Sequence, residues 1–251
     1  MLKEPTIKRL AKQLKIDTFT VQREYLQLLF LKYFYTEKET AKVFFKGGTA
    51  IRLLFGSFRF SEDLDFTSLL KEKELKELAL RSLDRISREE SAKLMFKQEI
   101  SIAGTFRARI FQEVEGLKNP LTVRLDFSIR EKPFSTDVNL IETVFPIGPY
   151  PQVSHLKAEE VLAEKIRAVL MRVRGRDIFD LWFLLTKQVP INWQLVNKKM
   201  SLYKKKTSPE QLIKKIKTLS QEAIKSDLAK FLPESHRNLT EKIKELTLAK
   251  L

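Results

Sequence analysis

The chain carries the segment FKGGTAIRLLF at residues 45–55, followed closely by RFSEDLDF at residues 59–66. Apolar residues before Gly47 and a helical pattern after Gly48 predict a strand, a tight glycine turn and a helix. Paired glycines allow close backbone approach, and the free N–H groups at the start of the following helix can hold a phosphate. A plain strand-to-helix turn is the alternative interpretation.

Asp63 and Asp65 occupy alternate positions of a short predicted strand. Alternation places both carboxylates on one face of the strand, whereas Leu64 and Phe66 face the core. Neighbouring carboxylates repel each other unless a cation neutralises them, and hard oxygen ligands suit Mg²⁺ or Mn²⁺. A solvated strand edge that carries two acids is the alternative.

A third acid, Asp126, lies in the strand-like segment VRLDF at residues 123–127. Three carboxylates on neighbouring strands can hold two Mg²⁺ ions about 3.5–4 Å apart. One ion would activate a hydroxyl and the other would hold a triphosphate. The pattern therefore predicts Asp63, Asp65 and Asp126 as metal ligands.

Working outward, hydrophobic periodicity predicts an α/β region followed by an all-helical one. Residues 146–151 contain three of the nine prolines and one of the seven glycines, which indicates a linker. The predicted domains are therefore residues 1–150 and 151–251. The predicted strands are 42–46, 63–66, 94–102, 105–113, 122–129 and an edge strand at 141–145. The predicted helices are 5–14, 19–35, 50–55, 71–90, 158–173, 177–185, 193–203, 209–219, 221–231 and 240–250.

The segments at residues 46–54 and 59–66 closely resemble those of the AbiEii/AbiGii toxin family, within the minimal nucleotidyltransferase, or DNA polymerase β-like, superfamily. A second block agrees, with EKIRA at residues 164–168, then Arg172, then RDIFDL at residues 176–181. The resemblance covers roughly residues 43–185. It implies an α+β fold in which a mixed β-sheet flanked by helices, of the nucleotidyltransferase type, precedes an all-helical C-terminal domain.

The resemblance also implies a role for individual residues. Asp63 and Asp65 would bind the metal ions, and Asp126 matches the third carboxylate of the superfamily. Lys165 would reach the triphosphate and Asp177 would support it or the base; a surface lysine and a capping aspartate paired with Arg174 or Arg176 are the alternatives. The residues predicted to contact the nucleotide are Gly47, Gly48, Thr49, Arg59, Ser61 and Lys165.

Composition limits the function classes. The 251 residues include no cysteine and two histidines, which excludes disulfides, thiolate metal sites and cysteine nucleophiles. The net charge is +15, and residues 187–251 contribute 15 basic against 6 acidic residues. Such an excess favours a nucleic acid partner, although a solvated lysine-rich face explains it equally well. Neither a signal peptide nor a membrane span is evident, which predicts a cytoplasmic protein without membrane contact.

Together these observations predict an enzyme that transfers a nucleoside monophosphate from an NTP to a hydroxyl, with Mg²⁺ or Mn²⁺ as cofactor. The resemblance implies a toxin of a toxin–antitoxin or phage-defence system, paired with a cognate antitoxin. It also suggests RNA as the acceptor, in particular the tRNA 3′ end, held by the basic C-terminal helices. The alternatives are a non-catalytic module that binds nucleotide, RNA or a partner protein, and nucleotidylation of a protein.

Overall fold

The computed structural model describes residues 1–100, 104–116, 119–172 and 174–251. The chain forms two compact units. The first contains residues 1–56 and 60–156, and the second contains residues 57–59 and 157–251. Strand-forming residues lie in the first unit, and helices make up most of the second.

The first unit is an α+β structure with a seven-stranded sheet over the described residues. Its strands are β1 Val43–Lys46, β2 Asp63–Ser68, β3 Leu94–Gln98, β4 Thr105–Gln112, β5 Leu121–Ser128, β6 Thr136–Leu140 and β7 Gln152–Leu156. Its α-helices are α1 Glu4–Leu14, α2 Thr18–Phe34, α3 Gly47–Phe55 and α4 Glu72–Glu89, with a 3₁₀ turn at Lys38–Lys42.

The sheet has the strand order β3-β4-β5-β2-β1-β7-β6. Strand β2 runs parallel to β5, and β1 runs parallel to β7, whereas the other neighbours are antiparallel. The sheet is therefore mixed. Strand β2 lies between β5 and β1, so both of its edges are paired and its side chains are held in a fixed register.

One face of the sheet is apolar because β2, β4 and β5 alternate in hydrophobicity. Phe66, Phe106 and Phe127 are fully buried, and the Phe66 and Phe127 rings stack with centroids 4.6 Å apart. Helices α2 and α4 contact strands β3–β5, and Phe34 of α2 packs on the same rings. Aromatic burial of this kind dominates the energetics of a core. The opposite face of the strands carries the polar residues.

The second unit consists of helices over the described residues. They are α5 Ala158–Met171, α6 Gly175–Thr186, α7 Trp193–Ser201, α8 Pro209–Lys217, α9 Gln221–Leu228 and α10 Leu239–Leu248, with 3₁₀ turns at Ala229–Phe231 and Glu234–His236. Helix α6 packs on α5, α9 and α10. A Cβ atom at Gly175 would overlap the backbone of Ile224, so the glycine permits close packing of α6 on α9.

The mixed sheet flanked by helices confirms the predicted fold class, but the last strands differ from prediction. The predicted edge strand at residues 141–145 is absent, and β6 at Thr136–Leu140 takes its place. Strand β7 lies beyond the predicted linker, in a region expected to be helical, and joins the sheet between β1 and β6. The ends of the predicted strand 94–102 and helix 158–173 extend to residues outside the described parts of the chain. Within those parts, no helix is both long and apolar enough to cross a bilayer.

Candidate active site

Strand β2 presents Asp63 and Asp65 on one face. Both residues are partly exposed, whereas Leu64 and Phe66 between and after them are completely buried. The apolar side chains fix which face of the strand points to the core, and the two carboxylates consequently point the other way. The alternation read from the sequence is therefore present in the structure.

The glycine turn brings the start of α3 against these acids. Gly47 has φ +79°, and a Cβ atom there would lie 2.8 Å from Cγ of Asp65, closer than real contacts allow. Gly48 is buried, and the Thr49 hydroxyl donates a hydrogen bond to the Asp63 carbonyl oxygen. The helix N-terminus, with its partial positive charge, is thus held beside the two carboxylates.

Two flanking residues complete this part of the first unit. Ser61 lies in the loop that enters β2, and its carbonyl oxygen accepts a hydrogen bond of 3.1 Å from Nε2 of Gln27. Lys46, which the sequence analysis left without a role, lies level with Asp65 and pairs with Glu131 at 3.1 Å. Its buried charge is thereby neutralised next to the acids.

The third predicted acid, Asp126, lies on the same face but is paired with an arginine. Asp126 lies directly beside Asp65, because β5 runs parallel to β2 in that register. Its Oδ2, however, lies 2.7 Å from Nε of Arg107, which stands opposite on β4. Among the described residues, no three His, Asp or Glu side chains lie close enough together to hold a metal ion. Asp126 is thus paired with Arg107, and its role as a third metal ligand stays a prediction.

The pair Asp63 and Asp65 by itself suits a divalent cation. Mg²⁺ is commonly bound by one or two carboxylates, with waters and substrate phosphates as the other ligands. The beginning of α3 lies next to the pair, where such phosphates would need N–H donors. These two acids therefore fit Mg²⁺ or Mn²⁺ without a third protein ligand.

The second unit contains the other predicted residues in an ionic cluster that is buried except for the half-exposed Arg172. Lys165 of α5 donates to Asp177 at 3.2 Å and contacts Asp180 at 2.7 Å, both on α6. Arg59 makes a bidentate pair with Asp180, at 2.7 and 2.9 Å, and is 2% exposed. Arg172 makes a second bidentate pair with Asp177, at 2.7 and 3.0 Å. Three cations and two carboxylates thus interlock, and the set carries one net positive charge.

Ion pairing outweighs burial in this cluster. Burial alone would lower the pKa of Lys165, but Asp180 and Asp177 together raise it above its usual value. Burial would likewise raise the pKa of Asp177, but Lys165 and Arg172 hold it well below its usual range. Both groups therefore stay charged around neutral pH.

Comparison with known families identifies the chain. The family model described as "Nucleotidyl transferase AbiEii toxin, Type IV TA system" matches residues 29–246. The chain belongs to the AbiEii toxin family. It is therefore a nucleotidyltransferase, as the sequence motifs predicted, and its family is that of the toxins of type IV toxin–antitoxin systems.

Solved structures show the same fold as this AbiEii-family protein. MenT4, a nucleotidyltransferase toxin from Mycobacterium tuberculosis H37Rv, is 17% identical with a TM-score of 0.65, over 100% of this chain and 91% of that one. JHP933 from Helicobacter pylori is 21% identical with a TM-score of 0.56, over 94% of each chain. Among curated proteins, none matches this chain.

Three residues of the AbiEii-family protein form ion pairs at the site that the sequence did not predict. Asp180 joins Arg59 to Lys165, and its three-residue spacing from Asp177 on one helical face was the available signal. Arg107 neutralises Asp126, which follows only from the pairing of β4 with β5. Arg59 was expected at the nucleotide and lies in a buried ion pair instead, so its nucleotide contact stays a prediction, as do those of Thr49 and Ser61.

Proposed function

We propose that this AbiEii-family protein transfers a nucleoside monophosphate from an NTP to a hydroxyl of RNA, at the tRNA 3′ end, with Mg²⁺ or Mn²⁺. The observation that carries the proposal is the contact between Gly47 and Asp65. It joins a phosphate-binding helix start to a pair of metal-binding carboxylates, which is what transfer from a triphosphate needs.

The reaction requires one bond to form and one to break. The acceptor hydroxyl loses its proton to solvent, and its oxygen bonds to the α-phosphorus of the NTP. The bond from that phosphorus to the bridging oxygen breaks, and pyrophosphate leaves. A divalent cation, when bound, neutralises charge that develops on the phosphate oxygens.

The protein contributes positioning and charge. Asp63 and Asp65 would hold the cation, and Asp126, directly beside Asp65 on β5, is a further predicted ligand. The N–H groups that follow Gly47 and Gly48 orient phosphate oxygens. Positioning of reactants and preorganised charge are the main sources of rate in phosphoryl transfer, because the protein does little covalent chemistry.

Two further assignments concern the second unit. Lys165 is the residue that the family resemblance assigns to the triphosphate, and Asp177, which accepts a hydrogen bond from it, would support it. The lysines of the C-terminal helices attract the RNA. Exposed residues such as Lys204, Lys205 and Lys206 are available for this long-range attraction.

The decisive experiment incubates the protein with each α-labelled NTP, Mg²⁺ and total tRNA, followed by gel analysis. Label should appear in tRNA with at least one NTP. The variant Asp63→Asn/Asp65→Asn should lose at least a hundredfold in rate, because the cation then lacks both carboxylate ligands.

Asp84→Asn is the matched control, since Asp84 is an exposed acid of α4 whose ion pair with Arg88 lies on the surface. It should retain the rate of the wild type. Wild-type incorporation that persists in the double variant would overturn the assigned acids. Label in protein but never in RNA would replace the RNA acceptor by a protein hydroxyl.

A further inference from the structure

A line of basic residues begins beside the acid pair and crosses the polar face of three strands. Asp63 lies level with Arg124 on β5, Arg124 with Arg109 on β4, and Arg109 with Lys97 on β3. Residues level with one another on paired strands share a face, and each strand adds about 4.8 Å. The line therefore extends roughly 14 Å from Asp63.

These basic residues are accessible. The side chain of Arg109 is 37% exposed and that of Arg124 41%, and Lys97 is exposed. On the same face, Phe111 lies level with Met95, which is 53% exposed. Cations that track a phosphate backbone beside an aromatic or apolar platform for bases are the combination that binds single-stranded nucleic acid.

Acidic residues on this face neutralise only part of its positive charge. Glu99 pairs with Arg109 and lies 3.6 Å from Arg124, while Asp126 pairs with Arg107. Among the described residues of β3, β4 and β5, four basic residues on this face are thus neutralised by only two acids, Glu99 and Asp126. These ion pairs are partly exposed to solvent, which weakens them, so the phosphates of a bound strand can compete for the arginines.

The position of the line points to the acceptor rather than to the NTP. The glycine turn follows β1, which flanks β2 on one side, whereas Arg124 lies on β5, which flanks it on the other. The N–H groups after Gly47 serve the triphosphate on the first side. The acceptor must therefore approach the acids from the second side, where the basic line begins.

We propose that Lys97, Arg109 and Arg124, with Phe111, form an acceptor face that binds the phosphate backbone of the single-stranded 3′ end of the RNA. This inference rests on the proposed function, because it takes Asp63 and Asp65 as the site of transfer. The acceptor face lies within the first unit and is separate from the lysines of the C-terminal helices.

The test measures binding without turnover. A short fluorescent single-stranded RNA with a free 3′-hydroxyl is titrated with full-length protein, and anisotropy gives Kd over a range of salt concentrations. Arg109→Ala/Arg124→Ala should raise Kd about tenfold at low salt. It should also flatten the slope of log Kd against log salt by about 1.4, since each lost phosphate contact in single-stranded nucleic acid contributes about 0.7.

The matched control is Lys73→Ala/Lys76→Ala, which removes the same charge from exposed positions of α4, the helix that covers the opposite, apolar face of the sheet. Its Kd should change less than about threefold, and its salt slope by less than about 0.5. These are rough bounds for the effect of screened long-range charge. Equal losses in both double variants, or none in either, would overturn the acceptor face.

Two more variants guard against misfolding. Lys97→Glu changes an exposed side chain and should raise Kd at least threefold, whereas Arg109→Lys/Arg124→Lys should restore most of the affinity. An NTP-dependent rise in melting temperature that survives Arg109→Ala/Arg124→Ala separates acceptor binding from NTP binding. If wild-type protein transfers nothing to RNA, yet Arg109→Ala/Arg124→Ala and Lys97→Glu lose RNA affinity as stated, the proposed function fails while the binding face stands.

Discussion

Two independent constraints require glycine at position 47. Its φ of +79° lies in the left-handed region, and the Asp65 carboxylate fills the space that a side chain would need. Gly56, at the other end of α3, shares only the first constraint, because nothing lies within 4 Å of the position of its Cβ. The sequence predicted a turn at Gly47, but the contact with Asp65 depends on the register of β1 with β2.

We expect Gly47→Ala to lower both stability and transfer activity. The backbone strain costs about 1–3 kcal/mol of unfolding free energy, and the new methyl group displaces Asp65. Urea denaturation measures the first effect, and the rate of NTP transfer measures the second, which should fall at least tenfold.

Gly56→Ala is the control for strain without displacement. Its loss of unfolding free energy should be similar or smaller, with transfer activity within about twofold of the wild type after correction for folded protein. Comparable activity losses in both variants would mean that the Gly47–Asp65 contact has no special role.

At the scale of elements, α5 and α6 are joined by charge as well as by apolar packing. Lys165 lies on α5, and both of its carboxylate partners lie on α6. The motif spacing indicated that Asp177 and Asp180 share a face of α6. It did not indicate that Arg59, which precedes Asp180 by 121 residues, completes the pair. Partners so far apart in sequence are brought together only by the tertiary fold.

Arg59→Ala should destabilise the protein by about 3 kcal/mol, the lower end for a broken buried ion pair, because Lys165 still neutralises Asp180. Urea denaturation monitored by circular dichroism measures the change. Arg81→Ala, at a half-exposed ion pair on α4, should change stability by less than about 1 kcal/mol.

A double-mutant cycle sharpens this test. Arg59→Ala/Asp180→Ala should cost less than the sum of the two single variants, because removal of both partners leaves fewer unpaired buried charges. If the losses of unfolding free energy are additive, Arg59 and Asp180 are not coupled. Arg59 would then be better explained as a nucleotide ligand.

At the scale of the whole molecule, the Lys165–Asp177 ion pair and the buried Tyr25 contribute to the pH dependence of stability. Asp177 has a lowered pKa in the folded protein, so its contribution is present above the pKa of the unfolded chain, about 3.9. Lys165 has a raised pKa, and burial with nearby Glu90 raises the pKa of Tyr25 to about 12. Their contributions are present below about pH 10 and are lost as the pH rises further.

Asp177, Lys165 and Tyr25 should therefore leave the melting temperature nearly constant between about pH 5 and 9, and their titration should lower it on both sides of that range. Below pH 4, the unfolded chain takes up a proton at Asp177 that the folded protein does not, so stability falls with pH. Asp177→Asn should be less stable at pH 7 and should lose part of this acid dependence. An unchanged acid slope in that variant would contradict the assignment to Asp177.

The sequence by itself determined the local structures and the candidate acids. Alternation in β2, β4 and β5 separates core from polar side chains, and the glycine pair marks the turn, because both effects depend only on near neighbours in the chain. The motifs also determined the family, because the identity and spacing of their residues can be read directly from the sequence, without the fold.

Only the tertiary structure decided which strands are neighbours and which charges meet. The placement of β7 beside β1, the pairing of Arg107 with Asp126 and the pairing of Arg59 with Asp180 join residues that are distant in sequence. The physical reason is that these partners are far apart along the chain, so only the packing of the whole chain determines which strand edge or which opposite charge lies within contact distance.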